Sequence, residues 1–197
     1  MRNRTAIIKV FYHTPTSTKP PPPCSPNLTN KAINLELNFS SLAQVEKKYP
    51  NWTGIIPVQP INCIAKSQIA ILIPYRNRPT QLSVIVNHIH KLLQHQQVAY
   101  GIFLIEPIAE QTFNRAKLLN IGFLEAFKLD KNWQCVVFQD ADLLVENYGN
   151  SYLCDQNKPR LLAPLVKKSF WKTHQCVKFL GYCVYFLGNI TVHAWVT

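Results

Sequence analysis

The stretch Ile69-Ala70-Ile71-Leu72-Ile73-Pro74 decides the fold of this chain of 197 residues. A run of consecutive apolar residues is typical of a strand that is covered on both faces, and Pro74 ends the run. Pro79 then suits the first turn of a helix. The apolar residues that follow it at helical spacing are Leu82, Ile85, Val86, Ile89, Leu92 and Leu93. Together these features predict a buried strand followed by an amphipathic helix.

The same alternation continues along the chain. A second strand is predicted over 100–105 and a third over Cys135–Phe138. Between them, the apolar stripe that predicts a second helix consists of Phe113, Ala116, Leu119, Phe123 and Phe127. Alternating strands and helices predict an α/β fold with a Rossmann-like, doubly wound, mostly parallel sheet and flanking helices.

Three polar segments follow strands or open helices of this predicted sheet. They are 74–78 (PYRNR), 113–115 (FNR) and 140–142 (DAD). Ligands of parallel sheets bind beyond the carboxyl ends of the strands, so we expect these segments to converge at one edge.

The triplet Asp140-Ala141-Asp142 has two interpretations. Carboxylates after a buried strand are suitable ligands for Mg²⁺ or Mn²⁺, which would neutralise charge on a diphosphate. An Asx turn that closes the strand explains the same residues equally well.

The arginines and Phe113 also have two interpretations each. Guanidinium groups bind phosphate bidentately, and Arg115 opens a helix whose first amides attract anions. Arg76, Arg78 and Arg115 could equally be solvated loop residues. Phe113 could cover a base or a sugar, or it could pack in the core with the rest of its stripe.

Charge and cysteines narrow the class of protein. The formal net charge is +11, which favours phosphorylated partners, but the basic residues are scattered, so no nucleic-acid partner is predicted.

The six cysteines have no zinc-finger spacing and are either disulfides or buried thiols. The Asn-X-Ser/Thr acceptors are Asn3, Asn27, Asn38, Asn51 and Asn189, and their density favours a luminal segment.

The N-terminal segment 1–30 is rich in proline, which predicts an extended, poorly ordered stem or linker. Its first ten residues are basic and contain no apolar run long enough for a signal peptide or membrane span. We therefore expect a luminal domain that lacks its natural N-terminus.

The segment 69–143 resembles the β-1,4-galactosyltransferases. The resemblance is carried by IPYRNR at 73–78, YGI at 100–102, FNRAKLLNIGF at 113–123 and VFQDADL at 137–143. It implies a GT-A fold in a type II Golgi membrane enzyme, with a membrane anchor in full-length members. It also implies Mn²⁺-dependent transfer of galactose from UDP-galactose, with inversion, to N-acetylglucosamine-terminated glycans of glycoproteins or glycolipids.

The resemblance also implies roles for individual residues. The implied UDP-sugar contacts are Pro74, Arg76, Arg78, Phe113, Arg115, Asp140, Ala141 and Lys168, and the implied metal ligand is Asp142. The family usually has Val where this chain has Ala141. The implied disulfides are Cys24–Cys63 and Cys135–Cys154, whereas Cys176 and Cys183 have no implied partner.

The resemblance extends more weakly back to Cys24 and forward to about Lys168. We therefore interpret 31–168 as the nucleotide-sugar-binding part and 169–197 as a divergent tail. The acidic run that supplies the family's catalytic base has no counterpart here, so no catalytic residue is assigned. We expect a chain that is incomplete for catalysis, with a GT-A fold that is incomplete on its C-terminal side. The alternative function is a non-catalytic pseudoenzyme or interaction module that retains part of the donor fold.

Overall fold

A computed structural model describes residues 6–11, 21–49, 58–60, 62–155, 160–161 and 183–186. The strands are β1 (Ala6–Phe11), β2 (Gln68–Pro74), β3 (Ala99–Pro107), β4 (Cys135–Phe138), β5 (Arg160–Leu161) and β6 (Cys183–Phe186). The helices are α1 (Leu42–Lys48), α2 (Pro79–Gln96) and α3 (Arg115–Leu129). The predicted order of strands and helices over 69–138 is confirmed.

The strands form one sheet in the order β1-β3-β2-β4-β6-β5. Its centre is parallel: β2 pairs in parallel with β3 on one side and with β4 on the other. The flanking strands are antiparallel: β1 pairs with β3, and β6 pairs with β4 and β5. The predicted α/β fold is confirmed. The expectation of a mostly parallel sheet is wrong for the described strands, because only the pairings of β2 with β3 and β4, which the crossover helices α2 and α3 connect, are parallel, and the other three pairings are antiparallel.

The central strands are covered on both faces, as their continuous apolar sequence predicts. Alternate residues of a strand point to opposite faces. Ile69, Ile71 and Ile73 accordingly pack with the buried face of α2, whereas Ala70 and Leu72 pack with α3 and Trp133. Each helix therefore covers its own face of the sheet, which is the arrangement of two successive crossover units.

The strand β1 lies within the segment 1–30, which was predicted to be a poorly ordered linker. For residues 6–11 the structure differs from this prediction, because they pair with β3 from Ala6 opposite Pro107 to Phe11 opposite Ile102. The sequence of β1, AIIKVF, is rich in β-branched and aromatic residues, which favour strands. The strand β6 similarly lies within the predicted tail 169–197. The boundaries of the predicted segments stay a prediction.

Both implied disulfides are present. Cys24 is bonded to Cys63 and Cys135 to Cys154. The first joins the segment after the proline run to the residues that precede β2, where Cys24 N also donates to Ile64 O at 2.8 Å. The second joins β4 to the end of the loop that follows it. Cys176 lies outside the described residues.

The predicted stripe of α3 is only partly buried. Leu119 lies in the core, and Phe123 and Phe127 pack against it. Ala116 is exposed, and Phe113 precedes the helix and is also exposed. The helix begins at Arg115, so Phe113 is not part of its helical stripe. Leu118, Gly122 and Ala126 provide the rest of its buried face.

Gly122 lets α3 approach the sheet closely. A Cβ at this position would lie 2.7 Å from Cδ1 and Cγ1 of Ile105, which is fully buried. Alanine usually stabilises a helix over glycine by about 1 kcal/mol, whereas overpacking a core costs about 1–3 kcal/mol.

We predict that Gly122→Ala lowers the free energy of unfolding by about 1–2 kcal/mol, because the overpacking outweighs the gain in helix propensity. Urea denaturation followed by circular dichroism measures it. Asn120→Ala, at an exposed position of the same helix, is the control and should cause no loss. A Gly122→Ala variant that is more stable than the wild type would contradict the close packing.

His88 on α2 makes the stability depend on pH. Burial lowers its pKa from 6.5 to about 4, although a hydrogen bond with the backbone of Val145 opposes this shift. His88 therefore becomes protonated near pH 6.5 in the unfolded chain but only near pH 4 in the folded chain. Neutral His88 therefore contributes fully to the free energy of unfolding above pH 6.5, and this contribution is lost as the pH falls toward 4.

We predict that stability falls by about 2 kcal/mol between pH 6.5 and 4.5 and that His88→Gln flattens this slope. Chemical denaturation across this range is the measurement. Glu36 acts at lower pH, because hydrogen bonds from Lys48 and Lys91 lower its pKa from 4.5 to about 2. Equal slopes for wild type and variant above pH 4.5 would show that His88 is not responsible.

Candidate functional site

The site lies where the direction of chain winding reverses. From β2 the chain passes through α2 to β3 on one side, and then through α3 to β4 on the other side of β2. Leu72 near the end of β2 is opposite Phe138, the last residue of β4. The segments that leave β2 and β4 therefore start side by side at the carboxyl edge, which is the usual ligand site of such sheets.

Both carboxylates of the triplet contact arginines across this edge. Arg78 Nη1 lies 2.7 Å from Asp142 Oδ2, and Arg115 Nε lies 2.7 Å from Asp140 Oδ1. Residues 141–142 form a turn, in which Ala141 is buried. The chain thus turns at the triplet and presents two carboxylates to two cations.

Arg76 and Phe113 form a second contact at the same edge. The Arg76 Cζ lies 5.6 Å from the centroid of the Phe113 ring, and its Nη2 donates to the carbonyl oxygen of Gln111. Phe113 remains 41% exposed, which excludes packing in the core as the explanation for this residue. An exposed aromatic face beside a guanidinium group is suited to stacking on a planar ring.

Local turns aim these side chains at the edge. Asn77 has a φ of 49°, in the left-handed region that asparagine tolerates better than most residues. This turn leads directly into Arg78 and then Pro79, the first residue of α2. At the other helix, Asn114 Oδ1 accepts a hydrogen bond from Lys117 N at 3.0 Å, which caps α3 and places Arg115 in its first turn.

The predicted convergence of the three segments is confirmed. The residues that the structure brings together are Arg76, Arg78, Phe113, Arg115, Asp140 and Asp142. Pro74 is the buried last residue of β2 and leads into this group. Lys168 lies outside the described residues. The individual binding roles of these residues stay predictions.

The sequence reasoning missed a buried polar network behind the triplet. Gln139 is fully buried and donates through Nε2 to the carbonyl oxygens of Asp140 and Leu143, at 3.1 and 3.0 Å. The Tyr152 hydroxyl donates to Gln139 Oε1 at 3.0 Å. A polar residue directly after a buried strand is the only signal in the sequence, and it gives no indication of the partner.

Asp142 fits a divalent cation as one ligand. Its carboxylate is a hard oxygen donor and its side chain is 23% exposed, so a cation can reach it. Within the part of the chain that the structure describes, no group of three or more His, Cys, Asp or Glu side chains could hold a metal ion. Mg²⁺-type sites often combine one or two carboxylates with substrate phosphates, and Asp142 suits that arrangement.

The fold and the charged edge define the N-terminal part of a glycosyltransferase. A family model described as the N-terminal region of glycosyl transferase group 7 matches residues 22–155. The chain belongs to the β-1,4-galactosyltransferase family. It is 43% identical over 138 residues to β-1,4-galactosyltransferase 4 of Cricetulus griseus, and 41% identical over 128 residues to β-1,4-galactosyltransferase 3 of Homo sapiens.

A solved structure shows the same fold. Drosophila β-1,4-galactosyltransferase 7, in a mutant form in complex with manganese, UDP-galactose and xylobiose, superposes with a TM-score of 0.52 at 28% sequence identity. The match covers 61% of this chain and 49% of that one, and the fold is of the GT-A type. The aligned regions cover 70% and 65% of this chain but only 40% and 32% of the two curated relatives.

We predict that the Arg78–Asp142 pair contributes little to stability. In a double-mutant cycle of Arg78→Gln and Asp142→Asn, the coupling energy should stay below about 1 kcal/mol, because exposed pairs are screened by water. Arg78 is 52% exposed. The matched cycle of Arg115→Gln and Asp140→Asn should give a larger value, because both of its side chains are 28% exposed. The reverse order would contradict this ranking.

Proposed function

We propose that this chain binds the UDP portion of a nucleotide-sugar donor at the edge formed by the arginines and the triplet. The observation that carries the proposal is the contact of Arg78 and Arg115 with Asp142 and Asp140 at the carboxyl ends of β2 and β4. This places cations for a diphosphate and a carboxylate for a metal within one small region. A solved relative of the same fold was crystallised with manganese and UDP-galactose, which supports a metal ion and a nucleotide sugar as the ligands.

In this proposal each arginine exchanges a carboxylate for a phosphate. Guanidinium groups form bidentate, charge-assisted hydrogen bonds with phosphate, so a diphosphate can replace the partly exposed carboxylates as the partner of Arg78 and Arg115. The exchange leaves Asp142 available to a cation. Phe113 then offers its exposed ring to the base or the sugar. Asp140 and Ala141 would contact the ribose and the sugar, as the family resemblance implies.

The proposed reaction is the transfer of galactose from UDP-galactose to an N-acetylglucosamine-terminated glycan, with inversion. Mn²⁺, held by Asp142 together with donor phosphates, would supply a positive charge that neutralises the leaving diphosphate. The described residues hold and orient the donor. Inversion also needs a general base for the acceptor hydroxyl, and none of the described side chains is assigned to that role.

We also propose that the chain works in the Golgi lumen. Two disulfides support an oxidising compartment. Of the predicted glycosylation acceptors, Asn27 and Asn38 are exposed, and Asn3, Asn51 and Asn189 lie outside the described residues. None of the helices among the described residues has the length and apolar character of a membrane span.

Calorimetric titration with UDP in the presence of Mn²⁺ tests the proposal. We expect the 197-residue chain to bind UDP and Arg115→Gln to weaken binding about 10-fold or more, because a charge-assisted hydrogen bond to phosphate is lost. Lys117→Gln removes an exposed positive charge from the same helix and should change the affinity less than about 2-fold.

Asp142→Asn should remove the dependence of UDP affinity on Mn²⁺ while leaving metal-free binding in place. If the wild-type chain shows no UDP binding at millimolar concentrations, or if Lys117→Gln is as damaging as Arg115→Gln, the proposed site is wrong. Transfer of labelled galactose to N-acetylglucosamine by the same preparation distinguishes a catalyst from a non-catalytic module that only binds the donor.

A further inference from the structure

The loop that follows β4 carries the triplet but has little secondary structure of its own. Its backbone carbonyl groups therefore lack the partners that a strand or helix would provide and must bond to side chains or water. Gln139, fully buried and directly after β4, provides two of these hydrogen bonds. Its Nε2 donates to Asp140 O and Leu143 O, which lie on either side of Asp142 in the chain. One amide group thus closes the turn from which the Asp142 carboxylate projects.

Tyr152 fixes the orientation of that amide. Its hydroxyl donates to Gln139 Oε1 at 3.0 Å, so the oxygen of the amide is held toward Tyr152 and both N–H groups face the turn. The Tyr152 side chain is fully buried, and burial raises its pKa, so the hydroxyl remains a donor at neutral pH.

Tyr152 is itself held by the end of α2. Its backbone N–H donates to Gln96 Oε1 at 2.9 Å, and Gln96 Nε2 donates to the carbonyl oxygens of Tyr148 and Asn150. Gln96 is the last residue of α2 and is fully buried. The bond from Cys154 to Cys135 fixes the chain two residues further on. The position of Tyr152 is therefore set by α2 and β4 together.

We propose that Gln139 and Tyr152 are positioning residues that hold the Asp142 carboxylate in the geometry required for the metal–diphosphate complex. This inference rests on the proposed function. Neither side chain touches the donor, because both are buried behind the turn. Groups that orient a ligating side chain commonly change metal affinity about 10- to 100-fold when they are removed.

Two tyrosine-to-phenylalanine substitutions distinguish an effect on the Asp142 geometry from a general loss of stability. Tyr152→Phe removes the hydroxyl that orients Gln139. Tyr100→Phe removes the hydroxyl of another fully buried tyrosine, which is hydrogen-bonded to His90 near the amino end of β3, away from the triplet. Both variants lose one buried hydroxyl, and both should therefore lower the thermal midpoint.

We expect Tyr152→Phe to weaken Mn²⁺-dependent UDP binding about 10-fold or more, with little change when Mn²⁺ is left out. Tyr100→Phe should leave both affinities within about 2-fold of the wild type. Calorimetry at a temperature where all variants are folded gives the affinities. The Mn²⁺ electron paramagnetic resonance spectrum should change for Tyr152→Phe alone, because the ligand geometry changes.

The remaining outcomes are also decisive. If the two variants bind UDP and Mn²⁺ alike, Tyr152 has only a structural role and the inference is overturned. If the wild type shows no Mn²⁺-dependent UDP binding, the proposed function itself fails and the inference fails with it. Should Tyr152→Phe not fold, Gln139→Met, which keeps the volume but removes the amide, must show the same metal-dependent loss.

Discussion

The burial of β2 between β3 and β4 is the constraint on which the rest of the structure depends. A strand covered on both faces has no access to water, so its backbone groups must pair with neighbouring strands on both sides. Parallel pairing with β3 and β4 requires crossover connections, and α2 and α3 provide these on opposite faces. The same pairing brings the ends of β2 and β4 together, and thereby places Arg78 within reach of Asp142.

At this edge of the sheet, two arginines form ion pairs with two aspartates. The four side chains are partly exposed, so the pairs cost little to separate and can exchange partners with a charged ligand. The backbone that carries the carboxylates is fixed by different interactions. It is held by hydrogen bonds from the fully buried Gln139, which are protected from competition with water.

Much of this fold could be predicted from local pattern. The apolar run at 69–73 and the helical spacing after Pro79 gave β2 and α2, because strand and helix periodicities differ clearly in such segments. The stripe beginning at Phe113 was a poorer guide, because Asn114 caps the helix one residue later and leaves Phe113 exposed. The pairing of β1 with β3 joins residues about a hundred positions apart, and no local pattern specifies such a contact.

The sequence by itself determined the alternation of strands and helices, the family and the three segments of the site, because these depend on residue type and spacing. Only the tertiary structure determined which arginine pairs with which aspartate, and it showed that Phe113 is exposed to solvent. It also decided that Gln139, Tyr152 and Gln96 form one network, although Gln96 and Tyr152 lie 56 positions apart in the chain. The physical reason is that a buried polar side chain must find a partner, and only the packing of α2 against the loop after β4 determines which partner it reaches.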